Sequence, residues 1–301
     1  MREAGKGRAY RGLGMAVLAL ACMAAVPGAY AAPTRAEGGA SREVATATGM
    51  GMGMVTFNLH HDREDWPARR RTILAELRRL QPDAIALQEV IQKRNVRNQA
   101  QWLASKLGYE YLFVSTDPPG APKRYGNALL TRRPVQARNE HLLQPLADYR
   151  TVAHLRIDVD GQPVNVYATH FNERSDEDGK RIRRTQVEDL LRFIGRTSAG
   201  APVVIAGDFN ALVDANDLSE LRSRYGDSYG SVHVNNADLA QASTLNRHYY
   251  DAPSRIDHIF FQQDALVARE AKILFDAPDA GGRWASDHYG VWARLQFTPT
   301  P

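Results

Sequence analysis

The sequence predicts an α/β fold in which two β-sheets pack together and helices cover them. Many short segments are either continuously apolar or alternate between apolar and polar residues, as strands do. About four segments instead carry apolar residues at helical spacing. With 44% hydrophobic and 24% charged residues among 301, the composition is that of a globular protein and excludes collagen-like, disordered and disulfide-scaffold chains.

The first half of the chain alternates between predicted strands and helices. The segment MVTFNL (54–59) is a short apolar strand, and 66–80 is a helix with Ile73, Leu74, Leu77 and Leu80 on one face. Pro82 ends that helix, and DAIALQEV (83–90) reads as a buried strand. A helix over 98–107, a strand over 109–114 and a turn-rich loop over 117–126 follow.

The second half is richer in strands. We predict strands over 127–131, 135–143, 151–158, 163–170, 202–211, 255–261, 266–274 and 288–297. Asp160-Gly161 is a typical hairpin turn. Helices are predicted over 180–194 and 215–224, and a long polar stretch runs from 226 to 254. Because no internal break in composition separates these elements, we interpret 54–298 as one domain.

The first 31 residues have the features of a secretory signal peptide. Four basic residues lie within 1–11, an apolar run is densest over 15–26, and Ala29-Tyr30-Ala31 offers small residues at a cleavage site. The apolar run is about 12 residues, short of the roughly 20 that a membrane-spanning helix needs. The one cysteine, Cys22, lies inside this run in a poor context for lipidation. We therefore expect export to the periplasm or the extracellular space.

Export changes the meaning of the net charge. Cleavage after Ala31 removes four basic residues and one acidic residue, so the net charge falls from +4 to +1 and no cysteine remains. Bulk basicity is then no argument for nucleic acid. Residues 32–53 are rich in Ala, Gly, Thr and Met and are predicted to be a flexible linker.

Metal- or phosphate-binding side chains recur where apolar strands end. A carboxylate beside four or five apolar residues is costly to bury unless it is paired or bound to a metal. Strand ends are also where open sheets place their sites. The residues in such positions are Asn58, Glu89, His170, Asp208, Asn210, Asp257, Asp287 and His288.

The chain resembles the endonuclease/exonuclease/phosphatase superfamily, which includes deoxyribonuclease I, abasic-site endonucleases, sphingomyelinases and inositol-polyphosphate phosphatases. The resemblance follows the family's order across the whole domain: FNLHHD (57–62), PDAIALQEV (82–90), YGNALLTRRP (125–134), YATHFN (167–172), IAGDFNA (205–211), RIDHIFF (255–261) and SDHYGVWARL (286–295). It implies a four-layer α/β/β/α sandwich of two packed mixed sheets flanked by helices. It also implies metal-dependent hydrolysis of a phosphate ester.

The resemblance assigns roles to the residues at the strand ends. Glu89 and Asn58, completed by Asp287, would bind Mg²⁺, or Mn²⁺ or Ca²⁺, because hard cations prefer oxygen ligands. Asp208, helped by Asn210, would activate the attacking water.

The two strand-end histidines would act on the phosphate. His288 and His170 would hold or protonate its oxygens, and Asp257 would pair with His288, fix its tautomer and raise its charged fraction.

Two further residues are accessory candidates. Strand alternation would place His60 on the same face as Asn58, where it could bind metal or phosphate or lie at the rim, and would place His61 on the opposite face. Asn127 lies where the family places a polar strand residue that faces the cleft.

Two rival functions stay open at the level of sequence. Gly226-Asp227-Ser228-Tyr229-Gly230 matches the serine-hydrolase motif G-x-S-x-G, with Asp257 and His288 following in order, although no apolar strand precedes Ser228. The fold could also serve as a non-catalytic binding protein.

For the hydrolase, the substrate is DNA or RNA, or a phospholipid or inositol-phosphate headgroup. We expect a monomer without an obligate protein partner or a transmembrane span in the mature chain.

Overall fold

The computed structural model describes residues 50–235, 239, 242–252 and 254–298. The predicted signal peptide (1–31) and most of the predicted linker lie outside the described residues. Compact units divide at Thr46–Ala47, and every described residue belongs to the second unit. No helix among these residues has the length and apolar character needed to cross a membrane.

The described chain contains five helices and twelve strands. The helices are α1 (Trp66–Leu80), α2 (Gln99–Leu107), α3 (Glu177–Thr197), α4 (Ser219–Arg222) and α5 (Ser228–Val232). The strands are β1 (Gly51–Asn58), β2 (Ala84–Lys93), β3 (Glu110–Ser115), β4 (Lys123–Thr131), β5 (Val135–Leu142), β6 (Thr151–Val159), β7 (Gln162–His170), β8 (Val203–Asp208), β9 (Gly226–Asp227), β10 (Asp257–Phe261), β11 (Leu266–Leu274) and β12 (Gly290–Phe297).

Two mixed sheets of six strands each form the centre of the fold. The first has the order β11-β12-β1-β2-β4-β3 and the second has the order β5-β6-β7-β8-β10-β9. Each sheet contains one parallel pair, β1 with β2 and β7 with β8, among antiparallel neighbours. Ligand sites in such sheets lie beyond the carboxyl ends of parallel strands.

Three apolar clusters join the layers and confirm the predicted sandwich. The inner faces of the sheets pack through small and β-branched residues such as Ala86, Val166 and Ile259. The outer face of the first sheet packs on α1 and α2, and that of the second packs on α3. Because each helix buries one apolar stripe against a sheet, the result is the four-layer α/β/β/α arrangement.

The first strand begins three residues before the sequence predicts, so the predicted linker does not extend to residue 53. Gly51, Met52 and Gly53 belong to β1, with both Met52 and Met54 fully buried between the sheets. A Cβ at Gly51 would lie 2.3 Å from the carbonyl oxygen of Leu295. The repeat that resembles a low-complexity linker is therefore an alternating strand whose glycine allows β12 to approach closely.

Candidate active site

A cavity of about 610 Å³ opens where the parallel pairs of both sheets end. Six of the predicted residues line it: Glu89, His170, Asp208, Asn210, Asp287 and His288. Asn58 and Asp257 lie directly behind, in contact with Asp208 and His288 respectively. The fold thus brings together side chains that are up to 230 positions apart in the sequence.

Asp208, the last residue of β8, is held by contacts to both of its carboxylate oxygens. The Asn58 amide Nδ2 donates to Oδ2 at 3.0 Å, and the backbone N–H of Asn210 donates to Oδ1 at 2.9 Å. Asn210 makes that contact from a left-handed backbone conformation (φ 50°). Burial, followed by the charge of Asp257, raises the pKa of Asp208 to about 7. A carboxylate with a pKa near neutrality is suited to accept a proton from water.

His288 and Asp257 form the predicted pair. Their contact, His288 Nδ1 to Asp257 Oδ2, is 2.9 Å, and the other ring nitrogen lies 3.8 Å from Asp208 Oδ2. Burial alone would lower the pKa of His288, but the charge and hydrogen bond of Asp257, together with Asp208, raise it to about 10. The imidazole therefore carries a positive charge at neutral pH and can donate from Nε2.

Glu89 enters the cavity from a break in the regular ladder between β2 and β4. The register shifts between Leu87 and Val90, and Glu89 itself has φ 56°. Such bulges redirect a side chain, and left-handed backbone at a non-glycine residue is often associated with function. The His61 ring nitrogen Nε2 lies 2.7 Å from Glu89 Oε2. Burial opposes ionisation, yet this contact and the nearby histidines lower the pKa of Glu89 to about 2.

The donor chemistry of the cavity fits a divalent cation. Glu89, Asp208 and Asp287 line the cavity, and hard cations prefer oxygen ligands of this kind. The side chains of Asp208, Asp257 and His288 also come close enough to hold an ion. His288, however, would have to release the proton on Nε2 first, because an imidazole binds a metal through a deprotonated ring nitrogen. We therefore regard Glu89 and Asp287 as better placed, with Asn58 engaged behind them in holding Asp208.

His170 is a buried residue of the cavity wall whose surroundings favour the neutral ring. Its Nε2 lies 3.1 Å from the Asn210 amide nitrogen, and its Nδ1 is buried without a hydrogen-bond partner among the described residues. Burial and the charge of Arg150 lower the pKa of His170 well below its usual value. The lowered pKa favours a neutral ring, which fits holding a phosphate oxygen better than protonating it, and the same Nε2 lies 3.5 Å from Asp208 Oδ2.

The structure changes the surroundings expected for the two accessory candidates. Strand β1 ends at Asn58, and His60 and His61 both have left-handed backbone (φ 53° and 49°), so strand alternation does not reach them. Both rings therefore reach the site: His60 lies 3.5 Å from Asp287 and His61 contacts Glu89. Asn127 faces Thr151 instead of the cleft, donating to its carbonyl and hydroxyl oxygens.

The environment of Ser228 does not support a serine hydrolase. Ser228 follows a strand of only two residues, and its fully buried Oγ has no hydrogen-bond partner among the described side chains. Asp257 and His288 pair with each other as a triad would require, but the remaining ring nitrogen of His288 lies 3.8 Å from Asp208 and makes no hydrogen bond with Ser228.

Sequence reasoning missed Arg150, the one arginine on the described cavity wall. Its side chain is 10% exposed, it pairs with Glu173, and Asp148 lies 3.7 Å away. Its Nε has no hydrogen-bond partner among the described residues. Arg150 lies one residue before β6, at the same sheet edge as His170, and this position could have indicated a role in the site. An isolated arginine after a loop is common, however, so the sequence alone offered little reason to select it.

Comparison with known proteins agrees with this geometry. The profile of the Endonuclease/Exonuclease/phosphatase family matches residues 55–288. Nocturnin of Drosophila melanogaster is 25% identical over 280 residues, which cover 78% of this chain but only 42% of that protein, so the chain spans less than half of its length.

Two solved structures share the fold. A family protein from Leptotrichia buccalis has a TM-score of 0.66 at 22% identity, with 82% of this chain and 100% of that chain covered. TDP2 of D. rerio, solved with a single-strand DNA product, also has a TM-score of 0.66, at 17% identity over 81% of this chain and 98% of that one. The profile match, over most of the described chain and ending at His288, shows that the chain belongs to the Endonuclease/Exonuclease/phosphatase family of metal-dependent phosphoric ester hydrolases.

Proposed function

We propose that the protein is an exported, divalent-metal-dependent phosphodiesterase in which Asp208 activates water. The observation that carries this proposal is the arrangement around Asp208: two hydrogen bonds fix its carboxylate, its pKa is raised to about 7, and a charged His288 lies 3.8 Å away. General-base catalysis needs a positioned group of this kind.

Each side chain has a separate role in the hydrolysis of a phosphodiester. Water attacks phosphorus, its proton passes to Asp208, and the bond to the leaving oxygen breaks. His288 donates from Nε2 to a phosphoryl oxygen while Asp257 holds Nδ1. Arg150 supplies a fixed positive charge on the wall of the same cavity.

Glu89 and Asp287 would hold the cation, with Mg²⁺ the ion we expect. When bound, a divalent cation neutralises charge that develops on the phosphoryl oxygens. Three carboxylates line the cavity: Glu89, Asp208 and Asp287. Without a bound cation, their negative charge would repel a phosphate anion.

The substrate we favour is nucleic acid. Its support is the single-strand DNA product in the TDP2 structure of similar fold, and a lipid or inositol-phosphate headgroup is the alternative.

Export rests on the sequence of residues 1–31 alone. Mass spectrometry of the secreted chain should give an N-terminus at Ala32; retention of residues 1–31 would contradict it.

Hydrolysis of bis(p-nitrophenyl) phosphate tests the activity. We expect Mg²⁺-dependent release of p-nitrophenol that a chelator abolishes and that S228A retains. A protein that binds the diester without cleaving it would be a binding module, and chelator-resistant activity would contradict the role of the metal. A panel of single-stranded DNA, RNA, sphingomyelin and inositol phosphates then identifies the substrate class.

A further inference from the structure

A second concavity of about 650 Å³ adjoins the catalytic cavity. Its walls are His60, Arg63, Glu64, Tyr249, Tyr250 and Asp287, and we call it the tyrosine groove. Tyr250 and Asp287 line both spaces. A ligand whose phosphate lies in the catalytic cavity can therefore extend directly into the groove.

The aromatic walls of the tyrosine groove are held in place by their own hydroxyls. Tyr249 donates to Glu64 Oε1 at 2.7 Å, and Tyr250 donates to Asp287 Oδ2 at 3.1 Å. Both rings are still more than a third exposed, at 37% and 38%. The His60 ring meets Tyr249 edge-on, with ring centroids 6.2 Å apart. Exposed rings that are already fixed bind a planar ligand at a small entropic cost.

The acidic side chains of the groove outnumber its arginine: Glu64 and Asp287 contribute two carboxylates against the single guanidinium of Arg63. A second phosphate would be repelled, whereas a neutral planar ring with hydrogen-bonding edges would find stacking surfaces, acceptors and a donor.

We infer that the tyrosine groove binds the nucleobase of a nucleoside whose phosphodiester is cleaved in the adjoining cavity. The inference rests on the proposed function and deepens it, because it selects nucleic-acid-like diesters over lipid or inositol headgroups. Tyr249 lines only the groove and takes no part in the chemistry. Tyr250 lines both spaces and lies at their shared boundary.

Two diesters with the same leaving group test the groove: thymidine 5′-(p-nitrophenyl) phosphate and methyl p-nitrophenyl phosphate, both with Mg²⁺. We expect the wild type to favour the thymidine ester in kcat/KM. Tyr249→Ala should lower that preference roughly 5- to 100-fold, since removing one stacking partner has effects of that order. Tyr249→Phe keeps the ring and should retain most of the preference.

Tyr149→Ala is the matched control, because Tyr149 lines the catalytic cavity but not the tyrosine groove. We expect it to leave the ratio of the two kcat/KM values in place. Wild type without a preference, an equal loss on both esters in Y249A, or a loss of preference in Y149A instead would each overturn the inference while the hydrolase activity stands.

A binding measurement keeps the test independent of turnover. With Mg²⁺ present, thymidine 5′-monophosphate should bind more tightly than methyl phosphate in calorimetry, and Y249A should remove the difference. Equal affinities in the wild type would overturn the groove's assignment. If the nucleotide binds in this way but neither diester is cleaved, the proposed catalytic function fails and the groove's assignment stands.

Discussion

Each sheet places one carboxylate at the end of its parallel strand pair, and these two carboxylates behave in opposite ways. Glu89 follows Gln88, the last residue of β2 that pairs with β1 in the first sheet, and Asp208 ends β8 in the parallel pair of the second. The Glu89 side chain is 19% exposed and has a pKa lowered to about 2. The Asp208 side chain is 2% exposed and has a pKa raised to about 7.

The difference follows from the neighbours of each group. His61 contacts Glu89, whereas Asp208 is buried close to a second carboxylate, Asp257. A permanently charged carboxylate suits a cation, and one with a pKa near neutrality suits proton transfer. The two sheets therefore supply two functions, ion binding from the first and proton transfer from the second, with the same chemical group.

Asp208→Asn gives the largest expected effect and tests the second sheet's half of this comparison. The amide keeps the shape and cannot accept the proton of water, so kcat should fall by roughly 10²- to 10⁴-fold. Apparent Mg²⁺ affinity, measured by titrating activity or by calorimetry, should change little. A D208N variant that loses Mg²⁺ binding instead would assign Asp208 to the metal and remove the division between the sheets.

Glu89→Gln tests the first sheet's half and should have a smaller effect that is partly reversible. Loss of the charged ligand should weaken Mg²⁺ binding by about 10- to 100-fold, a range seen when groups supporting metal sites are changed. Activity at saturating Mg²⁺ or Mn²⁺ should then recover most of the way. An equal loss at all metal concentrations would contradict a role in binding the ion.

Asp257→Asn changes the protonation of His288 while it keeps the shape of the cavity. Without the buried carboxylate, the pKa of His288 should fall, because Asp257 is its main stabilising charge. We expect kcat relative to the wild type at the same pH to fall about 10- to 100-fold near pH 8, and this ratio to recover partly toward pH 6, where the ring is again protonated. NMR titration of the His288 ring checks the shift directly; an unchanged pKa would show that Asp208 alone sets it.

The strand-end residues were predictable because each follows a buried apolar run in the sequence. The pKa values of these residues and the contacts that set them could not be predicted from the sequence. The pKa difference between Glu89 and Asp208 depends on contacts to His61 and Asp257, which are distant in sequence. His60 departs from strand alternation because its backbone is left-handed, and Arg150 becomes informative only when the fold places it on the wall of the cavity that His170 and His288 also line.

Buried histidines extend the same comparison to stability. His154, on β6, is fully buried like Asp208 but has amide partners instead of a carboxylate: Asn165 at 2.9 Å and Asn139 at 3.0 Å. Burial, together with the charge of Arg156, lowers its pKa to about 4. This is the opposite direction from the shift that Asp257 produces in His288.

A histidine whose pKa is lowered on folding stabilises the protein above its unfolded pKa of ~6.5, and that contribution is lost as the pH falls toward the folded value. Between pH 7.5 and pH 5, His154 should therefore account for about 2 kcal/mol of the loss in the free energy of unfolding. His154→Gln should remove that part of the pH dependence in urea unfolding, whatever it costs in packing at pH 7.5. The exposed His248 provides the matched control, since H248Q removes an imidazole from the surface instead of the core. If H154Q keeps the full wild-type slope between pH 5 and 7.5, burial without a carboxylate does not hold this imidazole neutral, and the contrast with His288 fails.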